Sequence, residues 1–344
     1  MLRFLSQQGD SVSLVRRVFS LPTLVSLALA VAFLLFLVVR FDVDLSAIWE
    51  QVKTSKPWYL ALAVVVHYTT FIFRGARWRL LLKNAQGQDQ PAPGVLYCSE
   101  LILLGWFANS VAWFRLGDAY RAYLYQSEQD GSFSRTIGTI LSERMLDAIL
   151  VVLLLVASAP WLVGQRAGAS WVVVGTALAL LAMLTLGLLV IARSRQRLLR
   201  WLPGWAAERY QRFCEGALGS FRQIPLVTLL GLLGWLAEVG RLYLVTLALG
   251  IDLGIALIVF ITLANSLLTL VPSPGGVGAV ESGVAGLLVR LSALATSAAA
   301  ALALVDRSIS YLSIIISGGV LFLARQGFRR RSLSPRTSTI IERQ

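Results

Sequence analysis

Glu143, Arg144 and Asp147 stand within five residues, in SERMLDA, at the head of a long apolar run. The two acids are four positions apart and share one face of a helix. Acids in a first turn complement the helix dipole, but an acid, base, acid set entering a membrane helix is costly unless paired and marks a pathway or a substrate site. A second charged stretch, NSVAWFRLGDAYRAYLYQ (109 to 126), carries Asn109, Arg115, Gly117, Asp118 and Arg121. A third, FRGARWRLLLKN (73 to 84), sets Arg74, Arg77 and Trp78 three and four positions apart on one helix; arginines that only anchor a helix end by snorkelling need no such spacing. The chemistry available to these residue types is phosphate binding by guanidinium forks, with carboxylates pairing a cationic group or holding the arginines in place.

A fourth stretch, LVPSPGGVGAVESG (270 to 283), has different chemistry. Pro272 and Pro274 end the preceding helix, while Gly275, Gly276 and Gly278 let the backbone bend and approach something closely. The Gly-Lys-Ser/Thr ending of a Walker A loop is missing, and no strand precedes the glycines as a dinucleotide fingerprint requires. A broken helix pair in a membrane points backbone amides or carbonyls at a substrate, and Glu281 adds an acid beside the break. A tight turn between two helices is the other reading.

The elements that must position these residues follow from composition. With 57% hydrophobic and 14% charged residues and a mean hydropathy of +0.72 over 344 residues, the chain is too apolar for an ordinary soluble protein. Its apolar stretches are long and unalternated, so they are helices and not barrel strands. The expected fold is an all-α polytopic integral membrane protein. Nine stretches qualify: 21 to 39, 58 to 73, 95 to 114, 137 to 163, 170 to 192, 224 to 250, 253 to 271, 283 to 301 and 303 to 323.

Charge decides which of them cross. Arg16 and Arg17, the group Arg74, Arg77, Arg79 and Lys83, the seven arginines from Arg193 to Arg222, and the tail with Arg325, Arg329, Arg330, Arg331, Arg336 and Arg343 all belong on the cytoplasmic side. Three stretches lie between the second and third of these groups, where an even number of crossings is needed. Residues 95 to 114, which run into the charged stretch, are therefore expected to dip in and return beside a polar cavity. About eight transmembrane helices plus this re-entrant segment then bring both termini to the cytoplasm. The expected organisation is a cytoplasmic segment (1 to 20), a membrane domain (21 to 323) and a basic cytoplasmic tail (324 to 344). Residues 194 to 222 mix Trp201, Trp205, Tyr210 and Phe213 with arginines, as in an interfacial amphipathic helix broken at Pro203 and Gly204, or a solvated loop.

Several classes are set aside. The net charge of +13 clusters beside the spans and forms no separate basic domain, which argues for anionic lipid and against nucleic acid. Cys98 and Cys214 have no ligand-type spacing, and the single histidine, His67, is given no role. No activated nucleophile, metal set or cofactor motif is present, so catalysis by the chain alone is not expected, nor is a cofactor or a metal.

Taken together and in this order, the four clusters resemble the lysylphosphatidylglycerol synthase/flippase-like membrane family, the membrane halves of bacterial aminoacyl-phosphatidylglycerol synthases. The resemblance runs from about Arg74 to Gly319. It rests on Arg77 and Trp78, on Asn109 to Arg121 with Gly117 and Asp118, on Glu143, Arg144 and Asp147, on Pro272 to Glu281, and on Arg307 in VDRSISYLSIIISGG. Trp113 stands where the family has a proline, and no soluble aminoacyl-transferase domain follows.

The resemblance implies movement of a charged lipid across the cell membrane, an aminoacylated or ordinary phospholipid or a polyprenyl-phosphate lipid. On that expectation Arg115, Arg121 and Arg144 contact phosphate, Asp118, Glu143, Asp147 and Glu281 balance or gate them, and the Pro/Gly break lets a cavity open. The other reading is a membrane subunit that presents lipid to a separate transferase without moving it. An ion or small-solute transporter would show internal repeats, and the sequence displays none.

Overall fold

The computed structural model describes residues 45–86, 92–112, 116–158, 167–271 and 273–332. The expected first helix at 21 to 39, the end of the tail, Trp113, Arg115 and Pro272 lie outside the described residues. Among those described the structure is all helix: α1 (Leu45–Lys53), α2 (Pro57–Gln86), α3 (Val95–Val111), α4 (Gly117–Gln129), α5 (Phe133–Ser158), α6 (Ala167–Trp201), α7 (Gly204–Gly219), α8 (Ile224–Ala248), α9 (Ile255–Leu268), a 3-10 turn (Pro274–Gly276), α10 (Ala279–Ser292), α11 (Thr296–Arg307), a π turn (Ser308–Leu312) and α12 (Ser313–Ser332).

Among the described residues, three helical segments are long and apolar enough to cross a membrane on their own: Pro57–Ala85, Ile224–Ala248 and the continuous run Thr296–Arg325. Helix α5 has 26 residues, about 39 Å at 1.5 Å per residue, and its charges are turned into the bundle. Helices α9 and α10 have 14 residues each. At about 21 Å, neither spans a hydrocarbon core of about 30 Å alone.

The last two apolar stretches are divided differently from the sequence expectation. Instead of spans at 283 to 301 and 303 to 323, the chain breaks at Ala293, which takes the left-handed conformation (φ 54°) and closes α10. It then runs from Thr296 through the π turn into α12. Residues 255 to 292 are thereby a second broken pair, α9 and α10, about the Pro/Gly stretch. Contrary to the sequence reading, which finds no internal repeat, the order of long helix, broken pair, long helix occurs twice: α2, α3 and α4, α5; then α8, α9 and α10, α11 with α12.

Helices α2 and α8 form the most extensive helix pair. They are antiparallel: His67 faces Glu238, Arg74 lies over Gly234, and Arg77 reaches Gly231. Lipid tails are as apolar as leucine, so hydrophobic transfer does not drive such helices together. Close packing of small residues and interhelical polar bonds do. The largest apolar cluster joins α5, α8, α9, α10 and α11 around Phe260, Ile258, Val245 and Leu288. A second joins α2, α3, α4 and α12 around Trp78, Phe71 and Leu101. Helix α7 does more than rest on an interface: Cys214 and Ala217 are buried against α5, Ser142 donates to the Ala217 carbonyl at 2.6 Å, and Trp201 and Trp205 are exposed.

Candidate functional site: a cavity between two helix breaks

The first break is closed by Asn109. Its side-chain oxygen accepts the Gly117 N–H at 2.8 Å, spanning the turn between α3 and α4. Gly117 lies directly against the Gly105 carbonyl, so a Cβ at 117 would collide with that backbone oxygen. The second break is organised by Arg307. Its Nε donates to Glu281 Oε1 at 2.8 Å and its Nη2 to the Gly275 carbonyl at 2.8 Å, while Glu281 Oε2 accepts the Gly278 N–H at 2.6 Å. Gly275 and Gly276 both have positive φ, 59° and 72°, and a Cβ on Gly275 would strike the Tyr311 ring. Tyr311 joins the two breaks: its hydroxyl donates to the Ser110 carbonyl at the end of α3, at 3.0 Å.

Beneath the first break lies a chain of ion pairs. Glu143 and Asp147 face α2 together, as their spacing requires. Arg77, 1% exposed, holds both: Nη1 and Nη2 meet the two Asp147 oxygens at 2.7 and 3.0 Å, and Nη2 meets Glu143 at 3.0 Å. The other Glu143 oxygen accepts from Arg121 at 2.7 Å, and the Arg121 guanidinium lies over the Trp78 ring at 4.4 Å. Arg144 points away from that pair and forks onto Asp118 at 2.8 and 3.1 Å. Arg74 approaches Asp147 only to 3.7 Å. Four guanidinium groups thus face three carboxylates here, and Glu238 of α8, whose charge also acts on Arg74, is the fourth. Buried pairs of this kind stabilise little over an apolar core, but removing one partner strands a charge at about 3–5 kcal/mol.

A cavity of about 380 Å³ opens between the breaks. Arg74, Arg144, Asp147, Asn109 and Arg307 line it, with Trp106 and Trp235 supplying aromatic walls. Arg74 brings a guanidinium without a close ion-pair partner to this space. It lies over the Trp106 and Trp235 rings at 5.2 and 5.3 Å, and its Nε has no hydrogen-bond partner. Asn265 Oδ1, Ser310 Oγ and Trp235 Nε1, all on lining residues, are likewise buried without one. Buried polar atoms are normally satisfied, so these unpaired donors and acceptors set the lining of the cavity apart from the rest of the bundle.

The structure therefore brings Arg74, Asn109, Arg144, Asp147, Gly275 and Arg307 to one cavity, with Glu281 behind Arg307. Arg77, Arg121 and Glu143 sit behind the wall in mutual pairs and do not line it, and Asp118 reaches it through Arg144. Pro274 starts the 3-10 turn, and Arg115 and Pro272 lie outside the described residues. Sequence reasoning missed Glu238 and Arg241 on α8 and Asp306 on α11. Arg241 lines the cavity, bonds Glu238 at 3.2 Å and makes a short pair with Asp306. The available signal was an acid and a base three apart inside one apolar span, GWLAEVGRLYL.

Residues 23–318 match the family described as the Lysylphosphatidylglycerol synthase TM region. Among similar proteins is a UPF0104 membrane protein of Methanocaldococcus jannaschii, 31% identical over 63% of this chain and 93% of the relative. A UPF0104 membrane protein of Methanothermobacter thermautotrophicus is 23% identical over 78% of this chain and 86% of the relative. The glycosyltransferase AglD of Haloferax volcanii is 24% identical over 80% of this chain but only 50% of its own length. The chain is a membrane protein that belongs to the lysylphosphatidylglycerol synthase TM region family.

Proposed function

We propose that the chain moves the headgroup of a phosphate-containing lipid through the cavity between its two helix breaks. The observation that carries this reading is Arg74, a guanidinium on the lining of the cavity that lies over two tryptophan rings and comes no nearer than 3.7 Å to Asp147. A phosphate needs charge-assisted donors to replace water. Arg74, with Arg144 and Arg307 on the lining of the same cavity, supplies them; Arg121 holds Glu143 in place. The lipid tails stay in hydrocarbon while the headgroup travels. Discontinuous helices in corresponding positions of two antiparallel halves are the arrangement in which a central site opens to one side and then the other. The arginine-rich segments put both termini on the cytoplasmic side of the cell membrane.

A second reading has its own support. AglD is named a glycosyltransferase, and half of its length lies outside the matched region. In that reading the cavity presents a lipid phosphate to a separate transferase and moves nothing.

Native mass spectrometry on the purified chain tests the shared core of both readings. Phosphate-bearing lipid should co-purify with the wild type and be lost when Arg74→Ala is combined with Arg144→Ala. Equal retention by both proteins would refute the site. Headgroup movement in vesicles then separates transport from presentation.

A further inference from the structure

His67, Glu238, Arg241 and Asp306 form a second buried cluster, about two turns along α2 from Arg74. His67 is fully buried and neither ring nitrogen has a hydrogen-bond partner. Its Nδ1 stands 3.9 Å from Glu238 Oε2. The other Glu238 oxygen, Oε1, is buried without a partner on a residue that lines the cavity. Arg241 is shared by Glu238 and Asp306. With a neutral imidazole, one guanidinium faces two carboxylates, and the negative charge left over is balanced by Arg74, which also faces Glu238. Two open nitrogens on a buried ring beside an unsatisfied carboxylate are an unusual cost to leave in a fold. A proton on Nδ1 gives the ring a charge to set against Glu238.

We infer that His67 and Glu238 form a proton-binding site coupled to the anionic ligand held at Arg74, so that a proton and a phosphate headgroup occupy the protein together. The inference rests on the phosphate reading of the cavity. The step is simple in balance: the His67 Nδ1 lone pair takes up H⁺ by way of Glu238, which lines the cavity, the imidazolium so formed faces Glu238, and the charge of this cluster with Arg74 goes from zero to plus one, which a bound phosphate balances. Release returns the proton to water. A metal cation fits less well. Among the described residues no set of three His, Cys, Asp or Glu side chains converges on one point, and His67 is edged by Tyr68 and Phe71 rings at 5.5 and 5.6 Å.

Coupling follows from position. Glu238 and Trp235 are three apart on α8, and Trp235 is one of the rings holding Arg74. While Glu238 is unneutralised, its open oxygen repels a phosphate at Arg74. Once the imidazolium forms, that repulsion is gone. The charged groups that face His67 are Glu238 and Arg241 from α8 and Arg74 from α2, with Asp306 from α11 behind Arg241. Arg74 and Arg241 oppose the added charge, and a bound phosphate offsets Arg74. Proton and anion therefore favour each other, and by linkage the effect is reciprocal.

Because His67 is the single histidine of the chain, its protonation can be read without assignment. The full-length chain, purified by a histidine-free tag into nanodiscs and carrying ¹⁵N-histidine, is titrated by NMR from about pH 4 to 8, in phosphatidylcholine alone and with phosphatidylglycerol added. The expected result is a single titration whose midpoint rises with phosphatidylglycerol and falls in Glu238→Gln. A midpoint unmoved by both changes, or an imidazole that never titrates with phosphatidylglycerol present, overturns the inference. Loss of lipid retention by Arg74→Ala with Arg144→Ala, alongside an unmoved midpoint, would sink the proton site and leave the phosphate site standing. Equal retention by that variant would sink the phosphate site itself. In vesicles holding a pH dye, headgroup movement should carry protons with it in the wild type and not in His67→Gln.

Discussion

Arg77 of α2 and Asp147 of α5 meet at two points, Nη1 on Oδ1 at 2.7 Å and Nη2 on Oδ2 at 3.0 Å. The fork fixes the rotation of α5 against α2 and so decides that Arg144 turns toward the cavity. Arg77→Ala leaves Asp147 and Glu143 with one cation fewer and should destabilise the protein by about 3–5 kcal/mol. Arg77→Lys should recover only part, since an ammonium cannot match the planar fork. Thermal unfolding of the detergent-solubilised variants measures this; wild-type melting temperatures in both would refute the structural role.

The approach of α3 to α4 at Gly105 and Gly117 leaves no room for a side chain. Gly117→Ala should lower the melting temperature, because the added Cβ must push one backbone away from the other and strain the Asn109 closure. Gly94→Ala, at a position with open space around it, is the matched comparison and should be close to neutral. Equal effects of the two substitutions would show that the turn tolerates widening.

Trp106 and Trp235 hold Arg74 by its flat faces. Such contacts contribute about 0.5–2 kcal/mol each. Trp235→Leu should weaken retention of phosphatidylglycerol in native mass spectrometry by several-fold while α2 and α8 remain packed at Gly231 and Gly234. Undiminished retention would remove the rings from the site.

Arg307 and Glu281 hold the second break from both sides, one through the Gly275 carbonyl and the other through the Gly278 amide. Because each also touches the other, Arg307→Gln and Glu281→Gln should be non-additive in melting temperature, with an interaction energy of about 0.5–3 kcal/mol. Strict additivity would mean that the two act on the break independently.

Much of this arrangement is legible in the sequence where the signal is local. Proline and glycine announce the break at 274 to 278, and the spacing of Glu143 and Asp147 gives their shared face. Parity of charged loops gives residues 95 to 114 as the stretch that dips in and returns; the structure breaks the chain after it, between α3 and α4, with Asn109 closing onto Gly117. What is not legible depends on helix register. Glu238 and Arg241 are isolated charges in an apolar span, and Asp306 is 65 positions from Arg241, so their meeting is a property of α8 against α11. Arg121 belongs to a charged stretch beside the cavity, yet the rotation of α4 sends it to Glu143 instead of the cavity wall. The break at Ala293 lies in RLSALATS, without proline or glycine, and carries no turn signal.

The most direct test places the purified chain in vesicles containing a trace of fluorescent phosphatidylglycerol and follows quenching of the inner-leaflet label by an impermeant reductant. The wild type should expose that label faster than protein-free vesicles. Arg74→Ala with Arg144→Ala should slow it at least about tenfold, the rate equivalent of one lost charge-assisted bond, while Lys53→Ala, which removes an exposed pair with Glu50, leaves it unchanged. Wild-type protein no faster than empty vesicles, or a double variant as fast as wild type, would contradict headgroup passage along the arginine-lined cavity.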